Sequence, residues 1–126
     1  MSRTRQRIPA SQCLRSAADF ARLRAEGRAF RGRHCLVVVA DCPGEPRKVA
    51  FVASRKGVGG AVLRNRARRR MREIVRRLWP TLAGQGRWMM FVANRSILQA
   101  AHEELAADVE SLIARALAGE PAGETS

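Results

Sequence analysis

The chain has 126 residues and a formal charge of +13, from 24 Lys+Arg against 11 Asp+Glu. Hydrophobic residues make up 46% of it, which suits one core in a chain too short for two ordinary domains. Collagen, a disulfide scaffold, a coiled-coil rod, a disordered basic tail and a membrane-embedded protein are excluded, and so one-sided a charge calls for a polyanionic partner.

Residues 1–13, with Arg3, Arg5 and Arg7, read as a flexible basic arm. No apolar signal-peptide core follows them, and no run approaches the roughly 18 residues of a membrane span, so a cytoplasmic protein is expected. Ser16 is placed to cap a helix with Asp19 in its first turn, and Gly27 to end it. A loop with Arg28, Arg31 and Arg33 leads to a Val-rich strand at 34–40. A turn rich in Pro and Gly separates it from a second strand at 49–53, and the two are expected to form a hairpin. After the glycine loop Ser54–Gly60, a long helix runs from about Ala61 or Val62 to Trp79, where Pro80 stops it. A third strand is expected at 88–92. A last helix starts at Asn94 or Ser96, with Leu98, Ala101, Leu105, Val109, Leu112, Ile113 and Ala116 on one face. The tail, residues 118–126, is expected to be disordered. The order α-β-β-α-β-α fits a single two-layer α+β domain over residues 14–117.

The cation is concentrated. Residues 1–99 carry +18 and residues 100–126 carry −5, and residues 55–77 hold ten bases against one acid, Glu73. In the long helix, Ala67, Met71, Ile74, Val75 and Leu78 make a core-facing stripe. Arg69, Arg72 and Arg76 lie nearly opposite it. Arg66, Arg70 and Arg77 flank one side and Arg68 the other, while Arg64 and Asn65 belong to the first turn. Arginine pairs bidentately with phosphate and stacks on bases, so this face suits nucleic acid. A merely solvated face, an anionic membrane and an acidic protein are the other readings. The one-sign run favours nucleic acid, because like charges at i, i+4 destabilise a free helix.

Arg55 and Lys56 extend the positive surface into the glycine loop, where helix N–H groups can hold phosphate. The loop is neither a P-loop nor a dinucleotide fingerprint, and a plain tight turn also accounts for it. No catalytic constellation and no metal site are visible. Asp19, Glu26, Asp41, Glu45 and Glu73 are scattered, and His34 and His102 read as structural or surface residues. Cys13, Cys35 and Cys42 form no CxxC pair, and Cys35 reads as a small core residue.

The stretch from Ser54 to Glu73, with Gly60-Ala61-Val62-Leu63-Arg64-Asn65-Arg66 at its centre, strongly resembles the signature of the bacterial ribonuclease P protein component. The Leu14…Asp19-Phe20…Gly27 pattern is similar to that family's N-terminal region, and the resemblance covers roughly residues 12–117. It implies a protein subunit that assists removal of the 5′ leader from precursor tRNA. A large RNA subunit then performs the Mg²⁺-dependent hydrolysis, and the protein alone is inactive. It implies catalytic-RNA contacts at Arg64, Asn65, Arg66, Arg68, Arg69 and Arg72, to which the charge pattern itself adds Arg55, Lys56 and Arg76 as RNA-binding candidates. It also implies a leader cleft between the sheet face and the first helix, at Phe20 and Arg24. The implied fold is an α/β sandwich with a left-handed strand–helix–strand crossover, like the second domain of ribosomal protein S5, against the usual right-handed rule. The implied partners are the catalytic RNA and precursor tRNA, with Mg²⁺ held mainly by RNA, no membrane and no stable protein partner.

Three positions depart from the family pattern. Gly57 is one extra loop residue, Arg24 replaces an aromatic seen in some members, and Arg87 stands where an Asp is common. The rival readings are a ribosomal or RNA-chaperone module, an architectural DNA-binding protein and a stand-alone phosphoesterase.

Overall fold

The computed structural model describes residues 8–81 and 86–118. Helix α1 (Ala17–Glu26) is followed by strands β1 (Arg28–Arg31), β2 (Cys35–Asp41) and β3 (Lys48–Val52). Helix α2 (Ala61–Leu78), strand β4 (Arg87–Ala93) and helix α3 (His102–Ala118) complete the order. The four strands form one sheet in the order β1-β2-β4-β3. β2 runs antiparallel to both β1 and β4, while β3 and β4 are parallel and joined through α2.

The expected hairpin between the second and third strands does not form. β4 lies between them, pairing Val37 with Phe91 on one side and Phe51 with Phe91 on the other. The reason is burial. Trp88 to Phe91 and Ala93 are all buried, so both faces of β4 are covered. Its backbone groups must then find partners along both edges. The connection from Asp41 to Lys48 holds Pro43 and Pro46 and is no two-residue turn. The real hairpin is β1–β2, where an arginine loop was expected. Only Phe30 of its four-residue first strand is buried, too little for alternation to reveal it.

The last helix also begins later than expected. Arg95–Leu98 form a 3-10 turn, and α3 starts at His102. Nη1 of Arg70 donates to the Ile97 carbonyl and Nη2 to the Ala100 carbonyl at 2.7 Å, taking oxygens that a continuous helix would use internally. Ala101, expected on the buried face, is therefore exposed, while Leu105, Val109, Leu112, Ile113 and Ala116 are buried.

The main core lies between one sheet face and helices α2 and α3. Phe30, Val37, Val39, Met89 and Phe91 meet Ala67, Met71, Val75, Leu105 and Val109 there. A smaller cluster on the other face joins Leu14 and Leu23 to Ala40, Ala50, Trp88 and Met90 under α1. Ser16 caps α1 as expected, its hydroxyl accepting from the Asp19 N–H at 3.0 Å. Residues 1–7 of the expected arm and 119–126 of the expected tail lie outside the described residues. Residues 8–13 follow the outer edge of β3, with a bridge from Cys13 to Val49 and a bond from the Leu14 N–H to the Val49 carbonyl at 2.9 Å. The side chain of Gln12 accepts from the Trp79 indole N–H at 2.6 Å, tying this segment to the end of α2.

Candidate nucleic-acid interface

Helix α2 carries its core stripe as read from the sequence. Ala67, Met71, Ile74 and Val75 are buried and Leu78 is half-buried. That anchoring fixes the directions of the arginines, which divide into three groups. Arg66, Arg69, Arg72 and Arg77 are exposed. Arg64 and Arg68 are half-buried near the first turn, and Nη2 of Arg68 donates to the exposed Asn65 side chain. Arg70 is structural, through its bonds to the Ile97 and Ala100 carbonyls.

Arg76 is half-buried among the expected contacts. Its side chain is 15% exposed and pairs with Glu73. Glu73 also lies 3.7 Å from Arg77, so one carboxylate serves two guanidinium groups. Arg72 sits over the Phe51 ring at 5.3 Å from its centroid, and Phe51 stacks on Phe91 with centroids 5.9 Å apart. The cation–π contact draws Arg72 toward β3, away from the outermost line of the helix.

Between α1, β3 and α2 opens a cleft of about 780 Å³. Leu14, Phe20, Val49, Ala50 and Phe51 give it apolar walls, and Arg15, Arg72, Glu73 and Arg76 give it a charged rim. Phe20 is half-buried, packing against the smaller cluster while facing this space. Arg24 is exposed and does not line the cleft. The structure thus brings Phe20, Arg72 and Arg76 to one cleft and leaves Arg24 outside it. Sequence reasoning missed Arg15, Phe51 and Cys13, which also line the space. No local pattern marks them, since the cleft is assembled from the segment before α1, α1 itself, β3 and α2.

Arg55 and Lys56 project from the loop before α2 and are exposed. The Ser54 hydroxyl closes this loop by accepting from the Gly57 N–H at 2.8 Å. Gly59 has φ of +134°, and a β-carbon there would meet Leu63 Cδ1 at 2.9 Å, so the chain enters α2 through a conformation that needs glycine. Gly60 is the N-cap and offers no side-chain acceptor. The first N–H groups of α2 therefore have no capping side chain, and Arg55 and Lys56 lie in the loop that leads into them.

Among the described residues no three His, Cys, Asp or Glu side chains group to hold a metal ion. His34 is buried, with its Nδ1 2.8 Å from the Ser96 hydroxyl, and His102 is exposed. Cys35 is buried beside Asp108, and desolvation first, then that carboxylate, push its thiol up to about 12. A thiol so raised stays protonated and is inert at neutral pH. Arg87, where an acid had been the family pattern, pairs with Asp41 at 3.2 Å. No described helix is long and apolar enough to cross a membrane.

Known proteins share this chain's sequence pattern and fold. The sequence pattern of the Ribonuclease P family matches residues 8–117. The ribonuclease P protein component of Symbiobacterium thermophilum is 41% identical over 104 residues, covering 82% of this chain and 89% of the relative. That of Chloroflexus aurantiacus is 38% identical over 113 residues, covering 89% of this chain and 83% of the relative. The RNase P protein of Staphylococcus aureus superposes with a TM-score of 0.73 at 20% identity, over 83% of this chain and 94% of that one, a likeness of fold. With the family pattern spanning both the cleft and the arginine helix, the chain belongs to the ribonuclease P protein family.

Proposed function

We propose that this chain is the RNA-binding subunit of a ribonuclease P holoenzyme that removes the 5′ leader of precursor tRNA in the cytoplasm. The observation that carries this reading is the double role of α2. The helix is pinned to the core by one stripe, presents exposed arginines outward, and sends Arg72 and Arg76 to the rim of an apolar cleft. One rigid element thus offers two surfaces to RNA at once.

In this reading the catalytic RNA lies along Arg64, Asn65, Arg66, Arg68 and Arg69 and reaches Arg55 and Lys56. The single-stranded leader enters the cleft, with bases against Phe20 and phosphates on the Arg72 and Arg76 rim. Stacking on a ring tolerates any base, which suits a subunit serving many precursors. The protein's work is to hold phosphates, to fix the leader's path and to lower the charge density where two RNAs meet. Mg²⁺ belongs with the RNA subunit, which carries the hydrolysis.

Reconstitution tests the proposal. With its RNA subunit at low Mg²⁺, the protein is expected to raise the rate of precursor cleavage, and without that RNA to cleave no precursor. Absence of stimulation refutes the subunit role, and cleavage by the protein alone refutes the division of labour. Salt titration of binding to the RNA subunit tests the helix: Arg69→Ala is expected to flatten the dependence by about 0.7–0.9 log units per log unit of salt.

A further inference from the structure

Four segments meet at one end of the sheet. They are the β1–β2 turn, the start of α2, the loop before it and the 3-10 turn after β4, because Cys35 pairs with Ala93 and Val52 with Val92 at that end. Across four strands that end is about 14 Å wide. The 3-10 turn Arg95–Leu98 is the bridge. On one side Arg70 of α2 holds its Ile97 carbonyl. On the other, the Asn94 side-chain amide and the Ser96 hydroxyl both donate to the Arg33 carbonyl at 3.4 Å, and the Asn94 N–H donates to the His34 carbonyl at 2.9 Å. Arg95, between Asn94 and Ser96 in the chain, is exposed, with no hydrogen bond or ion pair to its side chain among the described residues. Arg33 is also exposed, its side chain 70% accessible.

We infer that the RNA-contact surface does not stop at α2 but continues across the sheet end through Arg95 to Arg33, and that Glu104 at the start of α3 bounds it. The inference rests on the RNA-binding reading above and extends it to residues that neither the arginine helix nor the cleft includes. The partner is RNA backbone. Arg95 on the 3-10 turn and Arg33 on the β1–β2 turn, two turns tied to each other by three hydrogen bonds, offer charge at fixed places and no groove for base edges, as phosphate contacts do.

Glu104 gives the surface a limit. Its carboxylate takes Nη1 of Arg33 at 3.1 Å and lies 3.6 Å from Nε2 of His34. A phosphate reaching Arg33 competes with that carboxylate. Glu104 therefore weakens RNA binding at this corner, and its removal releases a cation already in place.

The test is binding to the cognate RNA subunit across a salt series, with melting temperature as the control for folding. Arg95→Ala is expected to melt like the parent and to shrink the affinity ratio between 50 and 200 mM salt by about threefold, the share of one phosphate contact. Glu104→Gln is expected to bind more tightly at low salt, and Arg33→Ala placed on top of it to abolish the gain. A merely structural role for Glu104 yields no gain. If Arg69→Ala weakens binding while Arg95→Ala and Glu104→Gln leave it unchanged, the extension is wrong and the RNA-binding role of α2 stands. If the parent protein does not bind the RNA, the proposed function itself fails.

Discussion

Asp108 on α3 holds the β1–β2 turn, and removing it offers a quantitative test of how the turn is built. One carboxylate oxygen accepts from the Arg33 N–H at 2.8 Å and the other from the His34 N–H at 2.9 Å. Gly32 lies against the same group: a β-carbon there would meet Oδ1 at 2.6 Å and Oδ2 at 2.8 Å. Hydrogen bonds to a charged group contribute about 1.5–3 kcal/mol each, and partial solvent access puts the pair toward the lower end, so Asp108→Ala is expected to cost about 2–4 kcal/mol. In a domain of this size that lowers the melting temperature by roughly 6–15 °C. Gly32→Ala supplies the second arm. In the parent it pushes a pinned carboxylate aside, whereas on the Asp108→Ala background the obstacle is gone. The double-mutant cycle by thermal or urea melting is expected to show a coupling of about 1 kcal/mol or more. Additive losses, or a single Asp108→Ala loss below 0.5 kcal/mol, would refute the claim that this carboxylate organises the turn.

The remaining expectations concern other groups. Phe20→Ala is expected to weaken holoenzyme affinity for precursor tRNA by about 1–3 kcal/mol while leaving leaderless tRNA unaffected; an equal loss on both substrates would remove Phe20 from the leader path. Arg70→Met is expected to lower stability by about 2–4 kcal/mol through the freed Ile97 and Ala100 carbonyls. If it instead changes only the salt dependence of RNA binding, Arg70 is a contact and not a strut. The Cys35 thiol, pushed up to about 12 in the fold, favours the protonated state there more than in the unfolded chain. Its contribution is thus complete below about pH 8.5 and is lost as pH rises toward 12, at up to about 1.4 kcal/mol per pH unit. Cys35→Ala is expected to flatten the alkaline fall in melting temperature; an undiminished fall assigns it to other groups, such as Cys42, whose thiol burial also raises.

Helix α2 was legible because its information is local. Ala67, Met71, Ile74 and Val75 repeat at the helical period, and the helix ends at Leu78, two residues before Pro80. Ser16 and Gly27 marked α1 for the same reason. Strand pairing is not local. Val37, Phe51 and Phe91 lie side by side in the sheet but far apart in the chain, and nothing in 35–41 or 48–52 says that a third strand divides them. The late start of α3 depends on Arg70, whose position on the helix wheel matched that of any flanking arginine. Phe20 came from resemblance to a family, whereas Phe51 and Arg15 became cleft residues only once β3, α2 and the segment leading into α1 were brought together.

The central position of β4 sets a timetable for synthesis. The strand that completes both edges is made after β1, β2, β3 and α2. Until residue 93 has left the ribosome, β2 and β3 each lack their partner along one edge, and the α2 stripe lacks Met89 and Phe91 from the surface it packs on. The growing chain is then a highly cationic, unfinished sheet emerging beside ribosomal RNA. The sheet can therefore be completed only once the stretch from Arg87 to Ala93 is available to lie between β2 and β3.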